Sequence, residues 1–126
     1  MILIDTHVLV WSYVDPYRLL PAAVRERLDG EQLVLSPFVS LELHYLYEVG
    51  RLTVSAANVE AELSRKLELD RADPSSAHVC AVAADLDWTR DPFDRLLSAH
   101  AVVAGIPLVT KDRVIRRNLP LAWWPD

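Results

Sequence analysis

Three short segments with apolar centres, Ile2-Leu3-Ile4, Gln32-Leu33-Val34-Leu35-Ser36 and Pro107-Leu108-Val109-Thr110, each give way to a stretch of helical pattern. Residues that are apolar at consecutive positions read as buried strands, because neighbouring side chains in a strand point to opposite sides. Such strands alternating with helices define an α/β fold of three layers, α/β/α, around a central, mainly parallel sheet. The 126 residues, 52% of them hydrophobic, fit one compact domain, residues 1–126, with a core of its own. No internal repeat, linker or low-complexity tract divides it.

Capping and breaking residues outline the helices. Val8 to Tyr13 suits a helix with Asp5 or Thr6 as its cap, broken at Asp15-Pro16. Leu20-Pro21 opens a second helix, with Pro21 near its first turn, that stops at Asp29-Gly30. Ser36-Pro37 starts a strong helix through Phe38, Leu41, Tyr45 and Val49, and Ser55 caps another from Ala56 to Leu67. Leu67-Glu68-Leu69 reads as a further strand or as that helix's tail. Pro74-Ser75-Ser76 and Pro92-Phe93 open two more helices, the second closed by Gly105, and a short helix covers Asp112 to Arg117. Leu121-Ala122-Trp123-Trp124 reads as an edge strand. The lone cysteine, Cys80, lies in the apolar stretch Val79-Cys80-Ala81-Val82 and is expected to be a small buried hydrophobe, in keeping with a reducing, cytoplasmic home.

The net charge of −5 opposes a protein that grips nucleic acid through a basic surface. An acid cluster that binds divalent cations escapes this objection, because the ions invert the local field. No apolar run reaches the roughly 20 residues needed to cross a bilayer, and Asp5 and His7 interrupt the apolar N-terminus too soon for an export signal.

Asp5 directly follows one strand, and Asp112 lies just beyond another. Functional groups of open α/β sheets gather at the carboxyl ends of the strands, which places both acids at one edge. Glu42 falls in the helix after the second strand, inside the apolar run Phe38-Val39-Ser40-Leu41-Glu42-Leu43, where an unpaired charge is costly. Asp94 occupies the first turn of the helix opening near Pro92. Taken singly, Asp5 is a candidate helix cap and Asp94 a group answering the helix dipole. Taken together, four converging carboxylates repel one another, and a hard divalent cation removes that cost. One or two such ions activate water and stabilise the leaving oxygen in phosphodiester hydrolysis. There is no His-Glu-x-x-His and no Cys-x-x-Cys, which favours Mg²⁺ or Mn²⁺ over zinc.

Four stretches carry a family resemblance: Leu3-Ile4-Asp5-Thr6-His7-Val8-Leu9-Val10-Trp11, Ser36-Pro37-Phe38-Val39-Ser40-Leu41-Glu42, Arg90-Asp91-Pro92-Phe93-Asp94-Arg95-Leu96-Leu97, and Leu108-Val109-Thr110-Lys111-Asp112. In order and spacing, over almost the whole chain, they resemble the PIN-domain family and its VapC-type toxins. The resemblance implies a PIN-like domain, Mg²⁺- or Mn²⁺-dependent endoribonuclease activity on RNA, a cognate antitoxin and a homodimer. Carried over by position, the catalytic acids are Asp5, Glu42, Asp94 and Asp112, with Asp5, Asp94 and Asp112 holding the metal. Thr110 matches the hydroxyl residue that supports the last acid, with Thr6 as a further support beside Asp5. Asp91 belongs to the subgroup's Asp-Pro-Phe-Asp motif and reads first as a helix cap. His7 belongs to the same subgroup's pattern, in a structural or supporting role.

Arg113, Arg116 and Arg117 follow Asp112 at helical spacing and are the candidate contacts to RNA phosphates. Arg95 is expected to pair with a carboxylate. The helices Phe38 to Val49 and Ala56 to Leu67, which carry Tyr45 and Tyr47, are the expected walls of a groove for a partner helix. A phosphotransfer receiver would also place a lysine such as Lys111 near its last strand. It needs a paired acid after the first strand and a phosphoacceptor mid-chain, and neither is present. A haloacid-dehalogenase-like phosphatase needs Asp-x-Asp, whereas Thr6-His7 follows Asp5. The remaining rival is a catalytically silent PIN-like module that only binds or scaffolds.

Overall fold

Five parallel strands form the central sheet of the computed structural model, which describes residues 1–126: β1 (Ile2–Ile4), β2 (Leu33–Leu35), β3 (Leu69–Arg71), β4 (Leu108–Val109) and β5 (Ala122–Trp123). Their order across the sheet is β3-β2-β1-β4-β5. Ile2 is paired with Leu33, and Leu3 with both Val34 and Leu108. Every residue of β1, β2 and β4 is buried, whereas the edge strands β3 and β5 are not. The three strands legible as apolar runs are therefore the inner ones, covered on both faces, as parallel strands require.

Eight helices complete the chain: α1 (Thr6–Val14), α2 (Pro16–Leu19), α3 (Ala22–Gly30), α4 (Pro37–Glu48), α5 (Ala56–Lys66), α6 (Ser76–Ala84), α7 (Pro92–Ala104) and α8 (Arg113–Asn118). Their starts are set by the residues that suit them. Ser36, Ser55 and Ser75 accept backbone N–H bonds from Phe38, Asn58 and His78, and Asp91 and Asp112 cap α7 and α8. Gly105 closes α7 at a φ of 68°, a left-handed conformation that glycine adopts without a Cβ penalty. The main core gathers Leu3, Leu33, Leu43, Leu63, Leu108 and Ile115 around the sheet, and a smaller one joins Val79 and Ala83 to Ala99 between α6 and α7. No helix is long and apolar enough to cross a membrane.

Several local expectations are corrected. Asp15-Pro16 ends α1 but also begins α2, with Pro16 in its first turn and the Asp15 carboxylate accepting from the Arg18 N–H, the position at which proline is pre-organised for a helix. The third strand lies at Leu69–Arg71 rather than Leu67–Leu69, because Leu67 is the C-cap of α5. Cys80 is exposed. α6 is apolar nearly all round, so its pattern does not mark which face turns outward; Val79 and Ala83 take the inner one. Tyr45 and Tyr47 are both exposed, and Leu46, Val59 and Leu63 are buried in the core between α4 and α5. The apolar cleft lies elsewhere, about 330 Å³ lined by Leu20, Leu28, Leu63 and Leu67 with Tyr17 and Arg25.

The strand order reverses at β1, which has β2 on one side and β4 on the other. In open α/β sheets, the crevice outside the carboxyl ends at such a switch point is where ligands bind. The chain leaves β1 there at Asp5, and leaves β4 there at Thr110.

Candidate active site

Asp5 occupies the position before α1, yet its carboxylate does not cap that helix. Its backbone N–H donates to Val109 O (3.0 Å), so the strand pairing itself sets the residue beside the end of β4. There the buried Thr110 hydroxyl donates to Asp5 Oδ2 (2.5 Å) and accepts from the Asp112 backbone N–H (3.1 Å). One hydroxyl therefore locks two acids that are distant in sequence. Asp112 in turn accepts from the Ile115 N–H (2.9 Å), which ties its carboxylate to the start of α8.

Glu42 comes from α4 and is reached by α1: Thr6 Oγ1 donates to Glu42 Oε1 (2.5 Å). Asp94 projects from the first turn of α7, just after Asp91, whose carboxylate accepts from the N–H groups of Phe93 and Asp94 (2.9 and 3.1 Å). α7 is itself tied to the start of α4, where His100 Nδ1 and Ser36 Oγ are hydrogen-bonded at 2.8 Å in the interior. Burial holds the His100 imidazole below the usual histidine range, so this link between the helices carrying Glu42 and Asp94 is uncharged near neutrality.

Asp5, Glu42, Asp91, Asp94 and Asp112 all line one cleft of about 440 Å³, together with His7, Trp11 and Lys111. The four acids expected from the sequence thus meet, with Asp91 as a fifth that is also the expected cap. None of the five takes part in any of the chain's seven ion pairs. The electrostatic strain is plain. Burial pushes the Asp5 carboxyl up against the lowering effect of the Thr110 hydroxyl, and burial followed by the Asp5 and Asp91 charges raises Glu42. Asp94 is raised to about 7, first by burial and then by Asp91, Asp5, Asp112 and Glu42 in turn.

Such a cluster wants a cation. No three His, Cys, Asp or Glu side chains close on one point tightly enough to make a ready cage. The donors present are carboxylate oxygens, the kind that hard divalent cations take, and Mg²⁺ keeps several waters and needs only one or two carboxylates directly. That set does not suit a fully protein-ligated structural zinc site.

The candidate phosphate contacts lie on α8, which starts directly after Asp112. Arg113, Arg116 and Arg117 do not line the cleft. Arg116 Nη1 pairs with the Asp126 carboxylate (3.3 Å), and Arg113 and Arg117 are exposed on α8. Arg95 does not pair with a carboxylate either. Its guanidinium donates to the carbonyls of Ala83 and Ala84 (3.0 Å each), the C-terminal end of α6, where the helix dipole favours a cation. The cation in the cleft is Lys111, with Trp11 beside it. A signal for both was available: Lys111 adjoins Asp112, and Trp11 falls one helical turn after His7.

A parallel sheet whose order reverses at an acid-bearing strand, with carboxylates gathered where it reverses, defines an α/β/α domain that presents acids rather than a nucleophile or a phosphate-binding loop. The chain belongs to the PIN-domain family, whose family model matches residues 2–118. It is similar to ribonuclease VapC22 of Mycobacterium tuberculosis (strain ATCC 25618 / H37Rv), with 33% identity over 119 residues, 93% of this chain and 91% of that one. The fold matches that of VapBC2 from Rickettsia felis bound to a DNA fragment from its promoter, at a TM-score of 0.65 and 20% identity, covering 97% of this chain and 96% of the other. It also matches VapBC-1 from nontypeable Haemophilus influenzae, at a TM-score of 0.66 and 17% identity, covering 100% and 98%.

Proposed function

We propose that this chain is a divalent-metal-dependent endoribonuclease, the toxin of a toxin–antitoxin pair acting in the cytoplasm as a homodimer. The observation that carries the enzymatic reading is the cleft itself, where Asp5 is buried, free of any ion pair and pinned by a hydroxyl that also positions Asp112. The similarity to a VapC ribonuclease supports RNA as substrate, and the fold shared with VapBC complexes supports a cognate antitoxin.

Asp5, Asp94 and Asp112 would hold Mg²⁺ or Mn²⁺, which supplies an activated water and charge compensation at the leaving oxygen. The chain's own groups do the rest. Thr110 keeps Asp5 and Asp112 at a fixed spacing, and Thr6 fixes the angle of the Glu42 carboxylate. Asp94, its carboxyl raised to about 7 by burial and by the acids around it, would give up its proton to hold the ion, whose charge offsets that crowding. Arg113 and Arg117, exposed beyond the cleft, extend a cationic edge toward flanking phosphates.

RNA cleavage by the purified chain should need Mg²⁺ or Mn²⁺, stop with EDTA and return on adding back either ion. The melting temperature should also rise, because an ion at ten times its Kd contributes about 1.4 kcal/mol, or about 3–6 °C. RNA left intact in both ions would turn the reading to a silent binding module, and a melting temperature indifferent to them would remove the metal.

Thr110→Val preserves shape but strips one hydroxyl from two acids. Cleavage should fall about 10–100-fold, as for other groups that orient metal ligands. Stability should fall by about 1–3 kcal/mol, the cost of leaving a buried N–H or carboxylate oxygen unmatched. Initial rates and a thermal melt read both effects. Unchanged rates would make Thr110 a space-filler.

A further inference from the structure

Trp11 is the one apolar side chain lining the acidic cleft, and Lys111 is the one lysine or arginine there. Both stand close in sequence to an acid of the cleft: Trp11 lies on α1, which Asp5 precedes, one turn beyond His7, and Lys111 lies between Thr110 and Asp112. The indole is held in place. Trp124 meets it edge-on at 6.4 Å and 65°, and His7 lies tilted at 6.1 Å. Lys111 Nζ stands 5.7 Å from its ring centre, near the outer limit of a cation–π contact, and the lysine is exposed. A contact that long between solvated groups is weak, so the ammonium is easily displaced.

We propose that Trp11 and Lys111 form a nucleotide subsite beside the acids, Trp11 stacking a base and Lys111 taking a phosphate of the same strand. This rests on the ribonuclease reading above. A base on the indole face displaces the ammonium, which then finds a phosphate within reach of its flexible stem. Base–aromatic stacking outweighs an exposed cation–π contact, so the exchange favours the nucleotide. A ring braced by Trp124 and His7 loses little freedom on binding, which conserves affinity. It also answers the acidic character of the cleft, because stacking needs no positive charge. Every base has a π-face, so the subsite selects for a base free to leave its own stack rather than for base identity.

The test uses a short single-stranded RNA that the wild-type chain cuts in Mg²⁺, re-synthesised with one abasic residue at successive positions around the cut. One position should raise KM about tenfold with kcat nearly unchanged. Trp11→Leu, which keeps apolar bulk without a π-face, should raise KM for intact RNA about tenfold and erase the abasic penalty. Trp11→Phe should retain most of the affinity and the penalty. Lys111→Gln should lower the salt dependence of KM by about 0.7 in logarithmic slope, one phosphate's share on a single strand. The subsite is overturned if Trp11→Leu leaves KM unchanged, or if the abasic penalty persists undiminished in it. A fall in melting temperature with KM unchanged has the same meaning, because the indole then only braces the fold. Wild-type protein that cuts no RNA overturns the ribonuclease reading, and the subsite with it.

Discussion

Asp5→Asn should abolish RNA cleavage, by about 10³-fold or more, while the variant melts at or above the wild-type temperature. The side chain is 7% exposed and its carboxyl is held above the usual range chiefly by burial, so its charge is there at a cost to the fold. The amide keeps the shape and an oxygen that accepts from the Thr110 hydroxyl, as Oδ2 does in the parent. What it loses is the charge that binds a cation, and several kcal/mol of transition-state stabilisation with it. Initial rates in Mg²⁺ beside a circular-dichroism melt settle the matter. Cleavage near the wild-type rate would take Asp5 out of the site, and a collapsed melt would make it a structural residue.

Asp94→Asn should remove cleavage too, with a second effect that has a definite sign. In the fold Asp94 is raised to about 7, against 3.8 for the free side chain. The folded state therefore holds the proton more tightly, and the stability from this group is full below pH 3.8. It is lost progressively as pH rises through about 7, and stays lost above that. The asparagine variant lacks this slope. Compared in EDTA, the two proteins should melt alike near pH 4 and diverge above it, the variant being more stable at pH 8. The side chain is partly exposed, so solvent screening reduces the gain to about 1 kcal/mol, or about 3–5 °C. Adding Mg²⁺ at pH 8 should reverse the order, since only the parent has the full ligand set. A difference in melting temperature that does not vary with pH would mean that the neighbouring acids do not burden Asp94.

The two variants describe one trade-off. The chain gathers carboxylates that its fold alone would be better without, as active sites commonly do.

The inner strands were legible because burial on both faces leaves no polar position, so Ile2–Ile4, Leu33–Leu35 and Leu108–Val109 announce themselves. β3 is hard to read from sequence, because an edge strand of sequence Leu-Asp-Arg with exposed residues carries little apolar pattern. Helix starts at Ser36, Ser55 and Asp91 were readable, since a cap acts within three residues of itself. Cys80 reads from its neighbours as a core residue and is exposed, because a helix of small apolar residues has no polar face to orient it. The spacing of the arginines on α8 gives a helix face but not what that face meets; Arg116 meets Asp126.

By itself, then, the sequence determined where the candidate acids sit along the chain, Asp5 and Asp112 beyond strands, Asp94 at a helix start and Glu42 within a helix, and the caps that hold those helices, all set by neighbours within about one turn. Only the tertiary structure decided that β1 lies between β2 and β4, that Thr110 reaches Asp5 across 105 residues of chain, and that Lys111 and Trp11 face the acids. Those pairings join segments with no local preference for one another. They follow from the way the whole core packs, which no short window of sequence contains.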